Sequence, residues 1–165
     1  MKTLILMRHG DAPITPTHSD HERELSLKGE TDTRVTATHI AEHHNIDFIL
    51  CSDSKRTMQT LDVLKPKIKN AEIEYSNIIY KKNDVQNLTN LIALQDDKYK
   101  TILMIGHNPS LLELAVHYSP NLIDTNFQDI MSGFKTSQII ALNFLCDSWH
   151  ETLTADAKMI DIFAP

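Results

Sequence analysis

A chain of 165 residues, 41% of them hydrophobic and 23% charged, has the size of one globular domain, so a second catalytic domain of ordinary size is excluded. The 16 Lys and Arg against 22 Asp and Glu give a net charge of −6 with neutral histidines, which argues against nucleic acid as a partner because a polyanion would be repelled. The longest apolar runs have the length of strands, which excludes a membrane-spanning segment. We therefore expect a single domain over residues 1–165 that binds neither nucleic acid nor membrane.

The N-terminus and the cysteines indicate the compartment. The apolar start of the chain runs directly into Arg8 and His9 without a small-residue cleavage site, so it predicts a first strand and not a signal peptide. Cys51 and Cys146 each lie in or beside an apolar run and are interpreted as reduced packing residues. A cytoplasmic protein is expected.

The first half of the chain alternates strand and helix patterns. A continuous apolar run predicts a buried strand, and a serine ahead of apolar residues at helical spacing predicts a capped helix. Pro66 is expected to stop or kink the second helix. The predicted elements are a strand over 4–7, a helix from a Ser26 cap to about His44, a strand over 47–51, a helix from near Ser54 to Pro66 and a weaker strand over 73–75.

The second half continues the alternation. Asn83 or Asp84 is expected to cap an amphipathic helix whose apolar face carries Val85, Leu88, Leu91 and Ile92. Asn108 suits the N-cap of a further helix and Pro109 its first position. Strands are expected over 101–105, 139–145 and, at a sheet edge, 157–163. This order predicts an α/β fold, a three-layer α/β/α sandwich with a mostly parallel central sheet.

Charged and imidazole side chains follow three of these strands. Arg8 and His9 come directly after the first strand, Arg56 lies in the first turn of the helix after the second, and His107 precedes the helix after the fourth. Ligands of open α/β sheets bind beyond the carboxyl ends of the strands, so these groups are expected to converge. Arginines, histidines and helix N-termini together favour a dianionic phosphate as ligand.

The residue types also predict a reaction. A histidine that is fixed by its ring N–H can present its other nitrogen to phosphorus and form a covalent phosphohistidine, which water then hydrolyses. We expect His9 to be this nucleophile, with Arg8, Arg56 and His107 neutralising the phosphoryl oxygens in the transition state. Neither a metal nor another cofactor is required.

Four motifs occur in order: Leu6-Met7-Arg8-His9-Gly10-Asp11-Ala12, then residues 20–29, 52–60 and 105–109, followed by a late Lys135-Thr136-Ser137. Over about residues 1 to 145 the chain thereby resembles the histidine phosphatase (phosphoglycerate-mutase-like) superfamily, and within it the small SixA-type phosphohistidine phosphatases. The resemblance implies a phosphoglycerate-mutase-like fold and His9 as nucleophile. It also implies that Arg8, Arg56 and His107 surround the phosphate, with Gly10 and Asn108 at the substrate.

One departure from the family pattern bears on the substrate. Many relatives that cleave phosphate esters carry a glutamate after the third strand as general acid, whereas Asp84 is the only carboxylate between Tyr75 and Val85, and it suits a helix cap better. An alkoxide needs a proton to leave, but a phosphorylated imidazole leaves with less help, so the gap favours a P–N bond. The expected partner is therefore a phosphotransfer protein that carries phosphohistidine. Asp11 is a second candidate for donating a proton or orienting His9.

Two other functions remain open on the sequence. The chain can be a phosphatase of small phosphate esters, or a non-catalytic module that binds phosphorylated partners. A metal site is a competing interpretation, since His39, Glu42 and His43 match the H-x-x-E-H pattern of one class of zinc enzyme. Such enzymes need a distant third ligand and usually a larger chain, so a solvated helix face is the preferred interpretation and no metal site is predicted.

The loops give weaker expectations. The loop from Ala12 to Arg23 is a candidate gate for the site, and Arg23 is expected to make structural or rim contacts. Phe127 and Phe134 are taken as exposed apolar residues of the loop before the fifth strand, where they can form a rim, a lid or an interface. Monomer and weak oligomer are both compatible with this pattern.

Overall fold

The computed structural model describes residues 1–80, 84–120 and 133–165. It contains one six-stranded sheet in the order β3-β2-β4-β1-β5-β6. The strands are β1 Lys2–Arg8, β2 Phe48–Ser52, β3 Glu72–Ser76, β4 Thr101–Gly106, β5 Ile139–Phe144 and β6 Ala157–Phe163. The helices are α1 Leu27–His43, α2 Lys55–Leu64, α3 Val85–Ala93 and α4 Ser110–Tyr118, with a short 3₁₀ helix at His150–Leu153.

The sheet is mostly parallel, as the sequence predicts. Strands β3, β2, β4 and β1 run parallel, whereas β5 is antiparallel to β1 and β6 is antiparallel to β5 at the edge. The register pairs Arg8 of β1 with Gly106 of β4, and Cys51 of β2 with Ile105. The carboxyl ends of these three strands therefore lie at one edge of the sheet, which is where the predicted site residues begin.

Two hydrophobic clusters, one on each face of the sheet, confirm the three-layer sandwich. Alternate residues of β1 point to opposite faces: Leu4 and Leu6 pack with α3 and α4, while Ile5 and Met7 pack with α1 and α2. All four side chains are fully buried. A strand that is buried on both faces is apolar at every position, so it could be predicted from the continuous apolar run in the sequence.

The helix starts agree with the capping residues in two of three cases. The Ser26 side chain accepts a hydrogen bond from the Gly29 N–H at the start of α1, and Asp84 accepts one from the Asn87 N–H at the start of α3. The prediction that Asn108 is an N-cap is wrong, because α4 begins one residue later and the Asn108 side chain donates instead to the Phe134 carbonyl, 3.0 Å away.

Buried residues near the site correct a second expectation. Phe134 is fully buried rather than exposed, and its carbonyl also accepts from Arg8 Nη1 at 2.7 Å. Phe127 lies outside the described residues. Cys51 and Cys146 are buried and unpaired, and burial raises the pKa of Cys51 to about 12. Within the described part of the chain, no helix has the length and apolar character needed to cross a membrane.

Candidate active site

A polar cavity of about 460 Å³ opens at the carboxyl edge of the parallel strands. It contains the four residues that the sequence assigns to catalysis: Arg8 and His9 from the end of β1, Arg56 from the first turn of α2, and His107 from the loop after β4. The cavity is also lined by Asp20, Arg23, Tyr80, Asn108, Pro109 and Ser110. Parallel topology thus brings together groups that are about 50 and 100 residues apart in the chain.

His9 is held in one orientation by the backbone that follows it. Its Nδ1 lies 2.7 Å from the Gly10 carbonyl oxygen, which can only accept, so Nδ1 carries the proton and Nε2 carries the lone pair. The side chain is buried, and this burial, together with the charges of Arg56 and Arg8, lowers the pKa of His9 to about 4. At neutral pH His9 is therefore an uncharged imidazole with its lone pair on Nε2.

Arg56 contacts both imidazoles. Its Nε donates to His9 Nε2 at 3.2 Å, its Nη2 donates to His107 Nδ1 at 3.2 Å, and its Nη1 donates to the Asp20 carbonyl at 2.5 Å. A cation is unfavourable in the first turn of a helix, because the macrodipole is positive there. This placement concentrates positive charge beside the nucleophile.

His107 is fixed from the opposite side. Because its Nδ1 accepts from Arg56, its Nε2 carries the proton and donates to Ser52 Oγ at 2.9 Å. The ring lies 5.2 Å from that of His9, centroid to centroid. Burial first, and then the neighbouring His9 and Arg56, lower the pKa of His107 to about 3, so it is also neutral.

The positive charge of the cavity is only partly compensated. Desolvation lowers the pKa of the Arg8 guanidinium, and repulsion from Arg23 and Arg56 lowers it further. The Nε–H groups of Arg8 and Arg23 are buried and have no hydrogen-bond partner among the described residues. Buried donors of this kind are costly to leave unpaired. The arrangement therefore suits an anion with several acceptor oxygens, such as a phosphoryl group.

Asp20 and Tyr80 are site residues that the sequence reasoning did not single out. The Asp20 carboxylate accepts from Arg23 Nη1 at 2.8 Å, from Tyr80 Oη at 3.0 Å and from Arg56 Nη2 at 3.2 Å. The hydrogen bonds from Arg23 and Tyr80 and the charge of Arg56 lower the pKa of Asp20 to about 2. Asp20 opens the second sequence motif, which was a usable signal; Tyr80 has no comparable pattern around it.

Three of the predicted residues do not line the cavity. Gly10 lies behind His9 and donates its N–H to Thr60 Oγ1 at 3.0 Å, so this N–H is not free for a substrate. The Asp11 carboxylate accepts from Ser26 Oγ at 2.6 Å, and Gly10, not Asp11, contacts the His9 ring. Asp84 caps α3. Asn108 does line the cavity.

Comparisons with known proteins agree with this geometry. The model of the histidine phosphatase superfamily (branch 1) matches residues 4–78, which include the Arg8-His9 and Arg56 motifs. None of the curated proteins compared with the chain matches it.

Solved structures extend the agreement over the whole fold. A proposed phosphohistidine phosphatase SixA from Nakamurella multipartitia superimposes with a TM-score of 0.84 at 24% identity, covering 99% of this chain and 96% of the other. A second proposed SixA, from Agrobacterium tumefaciens, gives 0.82 at 24% identity with coverage of 99% and 98%. The protein histidine phosphatase SixA complexed with tungstate gives 0.79 at 22% identity with coverage of 98% and 96%.

Proposed function

Because the chain carries the sequence motif and the fold of the histidine phosphatase superfamily, we propose that it is a metal-independent phosphatase that works through a covalent phosphohistidine at His9. We further propose that its substrate is phosphohistidine on a cytoplasmic phosphotransfer protein. The observation that carries the proposal is the neutral His9 imidazole, whose Nε2 faces a cavity with three guanidinium groups.

In the first step His9 Nε2 attacks phosphorus and the bond from phosphorus to the substrate nitrogen breaks. The substrate imidazole leaves as a neutral molecule when its other ring nitrogen carries a proton. Arg8, Arg23 and Arg56 supply the positive charge that the phosphoryl oxygens need, so the transfer requires no metal.

In the second step water attacks the phosphorus of phospho-His9, and inorganic phosphate leaves. The proton that the Gly10 carbonyl holds on Nδ1 means that His9 also leaves as a neutral imidazole. The same contact thus serves both halves of the reaction. In the first it keeps the lone pair on Nε2, which attacks phosphorus once the phosphoryl group replaces it as the partner of Arg56 Nε, and in the second it makes His9 a good leaving group.

The ionisation of the carboxylate in the cavity favours a substrate in which a P–N bond, and not a P–O bond, is cleaved. Asp20 is the one carboxylate among the described residues that line the cavity, and its pKa of about 2 leaves it ionised at neutral pH. An ionised carboxylate cannot protonate the alkoxide that an ester would release. A phosphorylated imidazole avoids this requirement, because it brings its own proton.

The proposal is tested by measuring phosphate release from a phosphohistidine-bearing phosphotransfer protein beside an aryl phosphate ester, with chelator present throughout. We expect fast release from the phosphoprotein and slow ester cleavage. His9→Ala should lose about 10³-fold or more in kcat/KM. His150→Ala removes an exposed histidine that does not line the cavity. It is the matched control and should keep full activity.

The outcomes separate the three functions. Strong ester cleavage with slow phosphoprotein turnover would replace the proposed substrate by a small phosphate ester. Phosphate binding without turnover, and without an acid-labile phosphoenzyme that depends on His9, would establish a binding module instead. Near-normal activity of His9→Ala would overturn the mechanism.

A further inference from the structure

A cluster of two histidines and an aspartate lies outside the cavity, on the face of the sheet that packs against α1. His39 Nε2 and His44 Nε2 point to the same carboxylate oxygen, Asp161 Oδ2, at 2.7 and 2.8 Å. The three ligand atoms lie within 4.8 Å of one another, the only such group of three or more among the described residues. None of the three residues lines the active-site cavity.

An irregularity in β6 brings Asp161 to this position. The pairing with β5 shifts by one residue between Ala141 and Leu142, so β6 contains a bulge before Asp161. As a result, Met159 before the shift and Ile162 after it both pack on the α3 and α4 face. Asp161 and Phe163 then turn to the α1 face, where Asp161 meets the two histidines.

The surroundings hold the ligands in place. The His39 ring is stacked between Phe163, at 4.1 Å, and His43, at 4.3 Å between centroids. The side chains of His39, His44 and Asp161 are 17%, 9% and 21% exposed, which leaves solvent on one side of the cluster. Oriented ligands with one open side are typical of a site in which water completes the coordination.

The dimensions suit a tetrahedral ion. Bonds of about 2.0–2.1 Å to nitrogen and oxygen place neighbouring ligand atoms roughly 3.3 Å apart. The two N···O separations of 2.7 and 2.8 Å would open by about half an ångström, which small side-chain rotations supply. Two imidazoles and one carboxylate are a donor set that zinc and related divalent ions accept.

We propose that His39, His44 and Asp161 form a binding site for a divalent transition-metal ion, which joins the C-terminal part of α1 to the edge strand β6. The ligands differ from those of the H-x-x-E-H pattern. His43 and Glu42 are exposed, and the His43 Nδ1 lies 2.9 Å from the His39 carbonyl, while His44 and the distant Asp161 complete the set. The ion acts on stability and not on the phosphatase reaction.

The test is titration of the chelator-stripped full chain with Zn²⁺ by calorimetry, and with Co²⁺ by visible absorption, which reports the coordination. We expect one ion per chain and its loss by EDTA. Asp161→Asn keeps an acceptor for the histidines but removes the charged ligand, and His44→Gln removes a nitrogen. Each should weaken binding by about tenfold or more. His150→Gln, which changes an exposed histidine of the 3₁₀ helix that packs against α3, should bind as the wild type does.

Thermal unfolding supplies a second readout. Free Zn²⁺ at 100 times Kd should raise the Tm of the wild type and of His150→Gln by roughly 5–10 °C, with little rise for Asp161→Asn. Equal zinc affinity in all four proteins, or none in the wild type, would overturn the proposal. If Asp161→Asn fails to fold, His44→Gln carries the comparison. Phosphatase activity with and without EDTA is expected to be the same, so this result is independent of the proposed function.

Discussion

Burial of His9 and His107 as neutral imidazoles should make the protein sensitive to mild acid. Their pKa values in the folded chain are about 4 and about 3, against about 6.5 in an unfolded chain. Between pH 6.5 and pH 4 the unfolded state therefore binds more protons than the folded state. The free energy of unfolding must fall as the pH falls through this window.

The size of the effect follows from the two pKa values. At pH 5 an unfolded histidine is largely protonated while folded His9 is still neutral. The difference of 1.5 pH units at about 1.36 kcal/mol per unit costs about 2 kcal/mol. His107 contributes about the same. Together they remove a substantial part of the 5–15 kcal/mol that is typical of a folded domain.

Equilibrium urea unfolding at pH 7.5 and pH 5.0 measures this contribution. Between these pH values His9→Asn should lose about 2 kcal/mol less stability than the wild type, because asparagine does not titrate. Comparing the two proteins cancels the titration of the other histidines and the carboxylates. His150→Asn removes an exposed histidine and should follow the wild type. An identical loss in the wild type and His9→Asn would refute the assignment of His9 as a buried neutral imidazole.

Three further predictions concern the reaction itself. Gly10→Ala puts a methyl group 2.8 Å from the Gly29 carbonyl oxygen, so the segment that orients His9 must shift. The rate constant of phosphoryl transfer to His9 in single-turnover assays should fall about 10²-fold, and an unchanged rate constant would contradict this role of the segment. Ser52→Ala removes the nearer acceptor of His107 Nε2 and leaves only Ser54 Oγ at 3.5 Å, so we expect kcat/KM to fall about tenfold; an unchanged value would show that His107 does not need the Ser52 contact. Asp20→Asn removes the negative charge that occupies the guanidinium groups, so inorganic phosphate should inhibit at lower concentration, and a higher inhibition constant would contradict this role.

The fold and most of the site could be predicted because they depend on local patterns and on one topological rule. A strand buried on both faces, such as β1, leaves a continuous apolar run, and Ser26 marks the start of α1. Once the sheet is parallel, residues that follow its strands must meet at one edge. This is sufficient to bring His9, Arg56 and His107 together without any knowledge of the loops.

The remaining parts of the site depend on loop packing, which leaves no periodic pattern of residues in the sequence. Tyr80 lies in a turn after β3 and reaches Asp20, 60 residues earlier in the chain. Ser137 adopts a left-handed φ of 60°, which is uncommon for a residue other than glycine. It is held there because its N–H donates to the carbonyls of Arg8 and His9, and its own carbonyl accepts from Thr36 Oγ1. No residue pattern near position 137 indicates these contacts.

The metal cluster was missed for a related reason. Periodicity places His39 and His43 on one helix face, but the structure pairs His39 with His44, the residue just after the helix. The third ligand is 117 residues beyond His44 and faces it only because of a one-residue bulge in β6. A bulge reverses which residues of a strand face the core, so alternation alone assigns Asp161 to a face only after the register is known.

The group that accepts the hydrogen bond from His9 Nδ1 affects the charge of the ring and therefore its reactivity. A carboxylate at Nδ1 would favour the imidazolium form and so oppose nucleophilic attack by His9, whereas the neutral Gly10 carbonyl orients the ring without adding charge. Asp11 is the nearest carboxylate in sequence, yet it accepts from the Ser26 hydroxyl at the start of α1, while the Asp11 backbone carbonyl accepts from the Ser26 N–H. Gly29 permits this close approach, since a side chain there would collide with the Asp11 backbone. The hydrogen bond from the capping Ser26 hydroxyl thus keeps the Asp11 charge at the start of α1, and the charge of the phosphoryl group is left to the arginines.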